Sequence, residues 1–261
     1  MNFVRDAQCS NEANHVKLDL YDIVQKTRTY DLEHDNDPTA AKSIPPTAFL
    51  YHEGRCGSTL VSNSVTALDP QKTRTYSEPI PVLQALLDCD KTRVNCNVDK
   101  AANLFRDVVY MMGRTRNPEE ERLFFKLLPG SILGVPAVKQ AYPDVPWAFI
   151  YRDPVHVMVS NLRDKHSDNA PGPYCTGLKP HKYQSEYIQD LVFSAGKSME
   201  DLTHEEYCAA YLVRTLQYTR GTWNCSGGKL TFFFSFLAGY LDYGGNRRNR
   251  LYGRRNRNQL R

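Results

Sequence analysis

Three observations predict an α/β fold with a parallel sheet flanked by helices for this 261-residue chain. Short apolar runs rich in β-formers recur at 47–51 ("TAFLY"), 123–127 ("LFFKL") and 147–151 ("WAFIY"). Runs without polar alternation suit strands buried on both faces. Segments with helical spacing follow the first and third runs, and strands alternating with helices imply a parallel sheet covered on both sides. Ligands of such folds bind at the carboxyl ends of the strands, so the loops after Tyr51, Leu127 and Tyr151 are the places to look.

Taken in order, residues 1–45 form a polar lead-in that reads as loosely ordered and ends at Pro45-Pro46. Its acidic patch "DLEHDNDP" (31–38) is half of a calcium loop, without the central glycine or the closing glutamate, and argues against a calcium site. The hexapeptide "QKTRTY" occurs at 25–30 and again at 71–76, with unrelated flanks, and is read as coincidence. Residues 46–225 form the α/β domain. After its first strand, Val61, Val65 and Leu68 make a helical stripe; after the third, Val155, Met158, Val159 and Leu162 make another. Asp153 caps that second helix and Pro154 suits its first turn. A later helix begins at Thr203 with a capping box to Glu206 and buries Cys208, Tyr211, Leu212 and Thr215. Residues 226–261 are an irregular C-terminus, and two readings of it stay open: a functional basic arm, or a truncated or misjoined end.

Composition is that of an ordinary globular protein, 41% hydrophobic and 24% charged, large enough for one sizeable core. No signal-peptide pattern opens the chain. The longest apolar stretch, "LTFFFSFLAGYL" at 230–241, falls short of the roughly 20 residues of a membrane span, so none is expected. Seven cysteines without a C-x-x-C pair favour reduced thiols over a disulfide framework. Net charge is +4, but residues 246–261 hold seven arginines and no acid; the remainder has 26 basic and 29 acidic residues. The domain is therefore not basic. The arginine-rich tail alone suits nucleic acid or an acidic surface, and with Tyr252 as its one aromatic it lacks a stacking platform. The histidines show no metal-ligand spacing, and no metal is expected.

The loop "EGRCGSTL" carries the clearest chemistry. Gly54 and Gly57 bracket Arg55 and Cys56 and let the backbone approach an oxyanion. Ser58 and Thr59 open a helix whose first amides and partial positive charge favour an anion. The nucleoside-triphosphate version of this loop is absent, because it needs a lysine directly before the hydroxyl and Gly57 stands there. A second piece, "YRDPVHVMVS", places Arg152 at a strand end and Ser160 two helical turns along, where both can converge on one anion.

Together these two motifs resemble the sulfotransferase superfamily over roughly residues 47–220, closer to its glutamate-base branch (tyrosylprotein- and carbohydrate-like) than to its histidine-base cytosolic branch. The resemblance implies a P-loop-like sulfotransferase fold and 3′-phosphoadenosine 5′-phosphosulfate as donor, with no metal. It assigns Gly54, Arg55, Cys56, Gly57, Ser58 and Thr59 to the phosphosulfate, and Arg152 with Ser160 to the 3′-phosphate. A guanidinium grips two oxygens at once, so Arg55 suits the cation's place in the loop. Lys126 stands where family members neutralise the leaving oxygen. The histidine base two residues later is replaced by Leu128. Glu78, in "YSEPIPV", stands where other branches carry a glutamate base, the more so if burial raises its pKa. His156 is read as a solvated residue.

The expected activity is sulfuryl transfer to a hydroxyl or amine of a small-molecule, carbohydrate or peptide acceptor. Two alternatives stay open: a nucleotide-dependent phosphotransferase, and a non-catalytic nucleotide-binding protein of the same fold. The acceptor has no readable code in loops such as 163–200. The compartment is expected to be cytoplasmic, with the Golgi lumen as the alternative if the N-terminus is incomplete.

Overall fold

The computed structural model describes residues 18–87, 97–163, 182–224 and 230–234. The elements run α1 (Leu20–Glu33), β1 (Lys42–Ser43), β2 (Pro46–His52), α2 (Ser58–Leu68), β3 (Thr73–Ser77), α3 (Ile80–Leu87), α4 (Val98–Met112), β4 (Arg114–Thr115) and β5 (Arg122–Lys126). After a 3-10 helix (Pro129–Gly134) come α5 (Val135–Ala141), β6 (Trp147–Tyr151), α6 (Pro154–Arg163), α7 (Lys182–Ser194), α8 (His204–Asn224) and β7 (Leu230–Phe234).

Five strands form a parallel sheet in the order β3-β5-β2-β6-β7, and β1 pairs with β4 as a small antiparallel ribbon. The α/β parallel architecture follows from the apolar runs as expected. Strand pleating sends alternate residues to opposite faces. Phe49 and Tyr51 of β2, Leu123 and Phe125 of β5, and Trp147 and Phe149 of β6 join the main core with α4 and α5. Leu50, Ala148 and Ile150 point the other way and pack with Cys56 and Val61. By the same alternation His52 and Lys126 lie on this second face, at the carboxyl edge, on the side of α2. From β2 the chain passes through α2 across β5 to β3; from β6 it runs to β7 on the opposite flank. The end of β2 is thus the point where the winding reverses, and a crevice opens there.

Several segments depart from the reading above. The lead-in holds a helix, α1, capped by Asp19 and burying Val24. Asp31, from the supposed calcium patch, accepts hydrogen bonds from Tyr110 and Arg114, which dock α1 on α4 and β4. Strand β3 went unread because "TRTYS" is polar; it lies at the sheet edge. The sheet also continues past residue 225, since β7 pairs with β6 along its whole length. On α2 the buried residues are Ser58 and Ser62, and Leu68 is 84% exposed. On α6 Val155 and Val159 are exposed, and Val157 with Asn161 is buried instead. Val157 packs against Tyr207, Tyr211 and Leu212 of α8, a partner invisible to local spacing. For α8 the expectation holds in full. Thr203 and Glu206 exchange both hydrogen bonds of the capping box, and Cys208, Tyr211, Leu212 and Thr215 are buried. Cys208 is disulfide-bonded, which a chain without a disulfide framework still allows, while Cys56 is free. No described helix is long and apolar enough to cross a membrane. The arginine-rich tail and residues 164–181 of the segment at 163–200 lie outside the described residues, and α7 occupies much of the rest of that segment.

Candidate active site

The loop after β2 turns through left-handed backbone at three of four residues: Gly54 (φ 82°), Arg55 (φ 50°) and Gly57 (φ 91°). Glycine accepts this region without strain, whereas Arg55 is a non-glycine residue held there. Gly57 is the N-cap of α2; its carbonyl accepts from the Leu60 N–H at 3.0 Å and the Val61 N–H at 3.3 Å, which leaves the amides of Ser58 and Thr59 without a partner within the helix. The side chains of the cradle divide. Cys56 and Ser58 are buried, and burial first, then the Glu53 carboxylate, pushes the Cys56 thiol up, so only their backbone faces a ligand. Arg55 and Thr59 are exposed.

Arg55 Nε donates to Ser160 Oγ at 3.0 Å, across 105 residues of sequence. The two halves of the anion-binding reading therefore meet at one point. Arg152 follows β6 directly, half-buried, with its backbone N–H donating to Glu53 Oε1 at 2.6 Å. Asp153 accepts from the amides of Val155 and His156 and so caps α6 as expected. His156 is exposed, also as expected.

On the other side of the loop, Lys126 ends β5 yet is only 2% exposed. Its ammonium donates to Glu78 Oε1 at 2.6 Å, Thr59 Oγ1 at 3.3 Å and Ser77 Oγ at 3.4 Å. Glu78 follows β3 with a left-handed φ of 56°, and its N–H donates to the Lys126 carbonyl at 2.7 Å. Such backbone in a non-glycine residue persists only where its surroundings fix it, often at functional positions. His52 completes the group. Its Nδ1 accepts the Gly54 N–H at 3.0 Å, which leaves the proton on Nε2, 3.5 Å from Glu78 Oε1. That contact is long for a hydrogen bond, and Nε2 has no well-formed hydrogen bond among the described residues. Burial, only partly opposed by Glu78, lowers the His52 pKa, so the ring is neutral near pH 7.

Glu78 corrects one expectation. It is a quarter exposed, and although burial pushes its pKa up, the net shift is downward. The His52 N–H beside it and the Lys126 ammonium outweigh its desolvation and hold the carboxyl at about 2. Glu53 is the reverse case. Burial pushes its carboxyl up to about 7, against the Arg152 N–H, with the Asp153 charge adding to the rise.

The site thus gathers Arg55, Thr59, Glu78, Lys126, Arg152 and Ser160 at one strand edge, with Gly54 and Gly57 shaping the loop. His52 and Glu53 were missed, although both stand in the stretch that drew attention to the loop. Alternation from Leu50 places His52 on the α2 face; nothing in the sequence shows that Glu53 folds inward. Among the described residues no three His, Cys, Asp or Glu side chains gather into a metal-sized group. No family model matches the chain, and a search of curated proteins finds no match either.

Proposed function

We propose that this chain is a sulfotransferase that moves a sulfuryl group from 3′-phosphoadenosine 5′-phosphosulfate to a hydroxyl or amine. The observation that carries the proposal is the hydrogen bond between Arg55 and Ser160. It brings a helix-opening anion loop and the Arg152–Ser160 pair together at a topological switch point, with a buried lysine and a carboxylate beside them. A nucleotide phosphorylated at both 3′ and 5′ positions needs two anion sites of this kind a few ångströms apart.

In this reading Arg55, Thr59 and the amides opening α2 hold the phosphosulfate, and Arg152 with Ser160 holds the 3′-phosphate, Arg55 exchanging its serine for an oxyanion. The bond between sulfur and the bridging oxygen breaks as the acceptor oxygen or nitrogen bonds to sulfur. Lys126 stabilises the charge growing on the departing oxygen, and the acceptor's proton passes to Glu78. The Lys126–Glu78 pair explains how a carboxylate held at about 2 can act as a base. As Lys126 turns to the leaving oxygen, Glu78 loses a cationic partner and gains basicity when the proton arrives. The disulfide at Cys208 favours an oxidising compartment such as the Golgi lumen over the cytoplasm. The acceptor is a small molecule, a carbohydrate or a peptide.

Calorimetric titration with 3′-phosphoadenosine 5′-phosphate, AMP and magnesium-ATP tests the donor. Binding that requires the 3′-phosphate supports it. Binding of magnesium-ATP alone assigns the loop to a phosphotransferase and removes the role of Ser160. Nucleotide binding with no transfer to any acceptor tried points to a non-catalytic member of the fold.

A further inference from the structure

Glu53 is a buried carboxylate that the proposed chemistry does not use. It is 3% exposed and stands between His52 and Gly54, at the root of the anion loop. Oε1 accepts the Arg152 N–H at 2.6 Å and so ties the end of β2 to the end of β6. Oε2 is buried without a hydrogen-bond partner among the described residues. The titratable groups facing it are the Asp153 carboxyl at the start of α6, the Cys56 thiol and the Tyr151 phenol. None of these supplies a positive charge, and Glu53 forms no ion pair among the described residues. An ionised Glu53 is therefore a lone negative charge in low dielectric, at the root of a loop read as a seat for anions.

We propose that Glu53 is a positioning residue of the donor site that takes up a proton when the doubly phosphorylated nucleotide binds, so that affinity is tied to pH around neutrality. The inference rests on the donor reading above. The neutral acid keeps its carbonyl oxygen on the Arg152 N–H and so preserves the clamp between the two strand ends. Ionisation leaves the clamp in place but sets a charge against the incoming phosphates. Bound anion favours the protonated form, so the nucleotide binds with proton uptake and loses affinity as pH rises. Burial has already pushed the Glu53 carboxyl up to about 7, which places the change within the working range.

The test is calorimetric titration of the full chain and of Glu53→Gln with 3′-phosphoadenosine 5′-phosphate, in buffers of different ionisation heat. Glutamine imitates the protonated acid, with an oxygen for the Arg152 N–H. The nucleotide's own phosphates titrate identically in both proteins, so the difference isolates Glu53. At pH 7 the wild type is expected to take up about half a proton more than the variant. From pH 7 to 8.5 its affinity should fall about tenfold relative to the variant, with the two nearly equal at pH 6. Equal uptake and parallel pH profiles would overturn the inference and leave the donor reading intact. Failure of both folded proteins to bind would overturn the donor reading and the inference with it. Should Glu53→Gln not fold, carbon NMR of the wild-type Glu53 carboxyl decides: its titration must move to higher pH when nucleotide is added, and an unmoved titration overturns the proposal.

Discussion

Glu53 follows β2 and Glu78 follows β3, so both carboxylates stand at the same edge of one sheet. Glu53 lies deeper and its carboxyl is pushed up to about 7; Glu78 is partly open to solvent and held at about 2. Burial raises both. What separates them is a ring and a charge: His52 stands beside Glu78 with Lys126 Nζ at 2.6 Å, whereas the titratable groups facing Glu53 among the described residues are Asp153, Cys56 and Tyr151. The neighbours, the His52 N–H first and the Lys126 ammonium with it, outweigh burial at Glu78, and Glu53 has no such donors to offset its depth. The two acids therefore suit different tasks, one to accept a proton late in a reaction, the other to carry one near neutral pH.

The largest expected effect breaks the paired half. Glu78→Gln strands Lys126, a cation 2% exposed, and losing one member of a buried pair costs about 3–5 kcal/mol. Thr59 and Ser77 still accept from the ammonium and Glu78 itself is 27% exposed, which puts the cost below that range, about 2–3 kcal/mol. Urea unfolding at pH 7 measures it, and a loss below about 1 kcal/mol would mean that the pair does not hold the two strand ends together.

Next comes the unpaired half, with the opposite sign. A carboxyl raised from 4.5 to about 7 on folding gives stability that is fully present below 4.5 and lost as pH rises through 7. Glu53→Gln should accordingly stabilise the protein by about 2–3 kcal/mol at pH 8 and by almost nothing at pH 4.5. Denaturation curves of both proteins at the two pH values check this, and a pH-independent difference would contradict it.

A smaller effect lies at acid pH. Glu78, lowered from 4.5 to about 2, contributes stability present above 4.5 and lost as pH falls through 2. Because its side chain is 27% exposed, solvent screening reduces that contribution to about 1–2 kcal/mol. Subtracting the acid profile of Glu78→Gln from that of the wild type should show the loss in this window and nowhere else. The smallest effect sharpens the part played by the ring. His52→Asn removes the N–H at 3.5 Å while Lys126 remains, so the Glu78 carboxyl should rise yet stay below its ordinary 4.5. Stability should change by about 1 kcal/mol. Carbon NMR of the carboxyl follows the shift; an unmoved titration would remove His52 from the group.

How much of this was legible depends on which interactions are local. The capping box of Thr203 and Glu206 and the buried face of α8 were readable, because a cap and a helical stripe lie within a few residues of each other. The three apolar strands were readable for the same reason. The hexapeptide "QKTRTY" shows the limit: at 25–30 it lies inside α1, whereas at 71–76 it enters β3 through a turn. Identical residues adopt both states because β5 is available to pair with one copy and α4 packs against the helix holding the other. The face of α6 was misread likewise, since α8 selects it. In the site, the types and spacing of Arg55, Lys126, Arg152 and Ser160 could be read, but their convergence needs the strand order. Glu53 and His52 escaped because their meaning depends on depth and on neighbours about 100 and about 25 residues away.

The central claim is that one nucleotide bridges the loop and the Arg152–Ser160 pair, and a crystal structure of the complex with 3′-phosphoadenosine 5′-phosphate tests it most directly. The account predicts the 5′-phosphate on the amides that open α2, the 3′-phosphate on Arg152 and Ser160, and the Arg55–Ser160 hydrogen bond broken. A nucleotide seated elsewhere, or one whose 3′-phosphate points to solvent while Arg55 stays on Ser160, would contradict it.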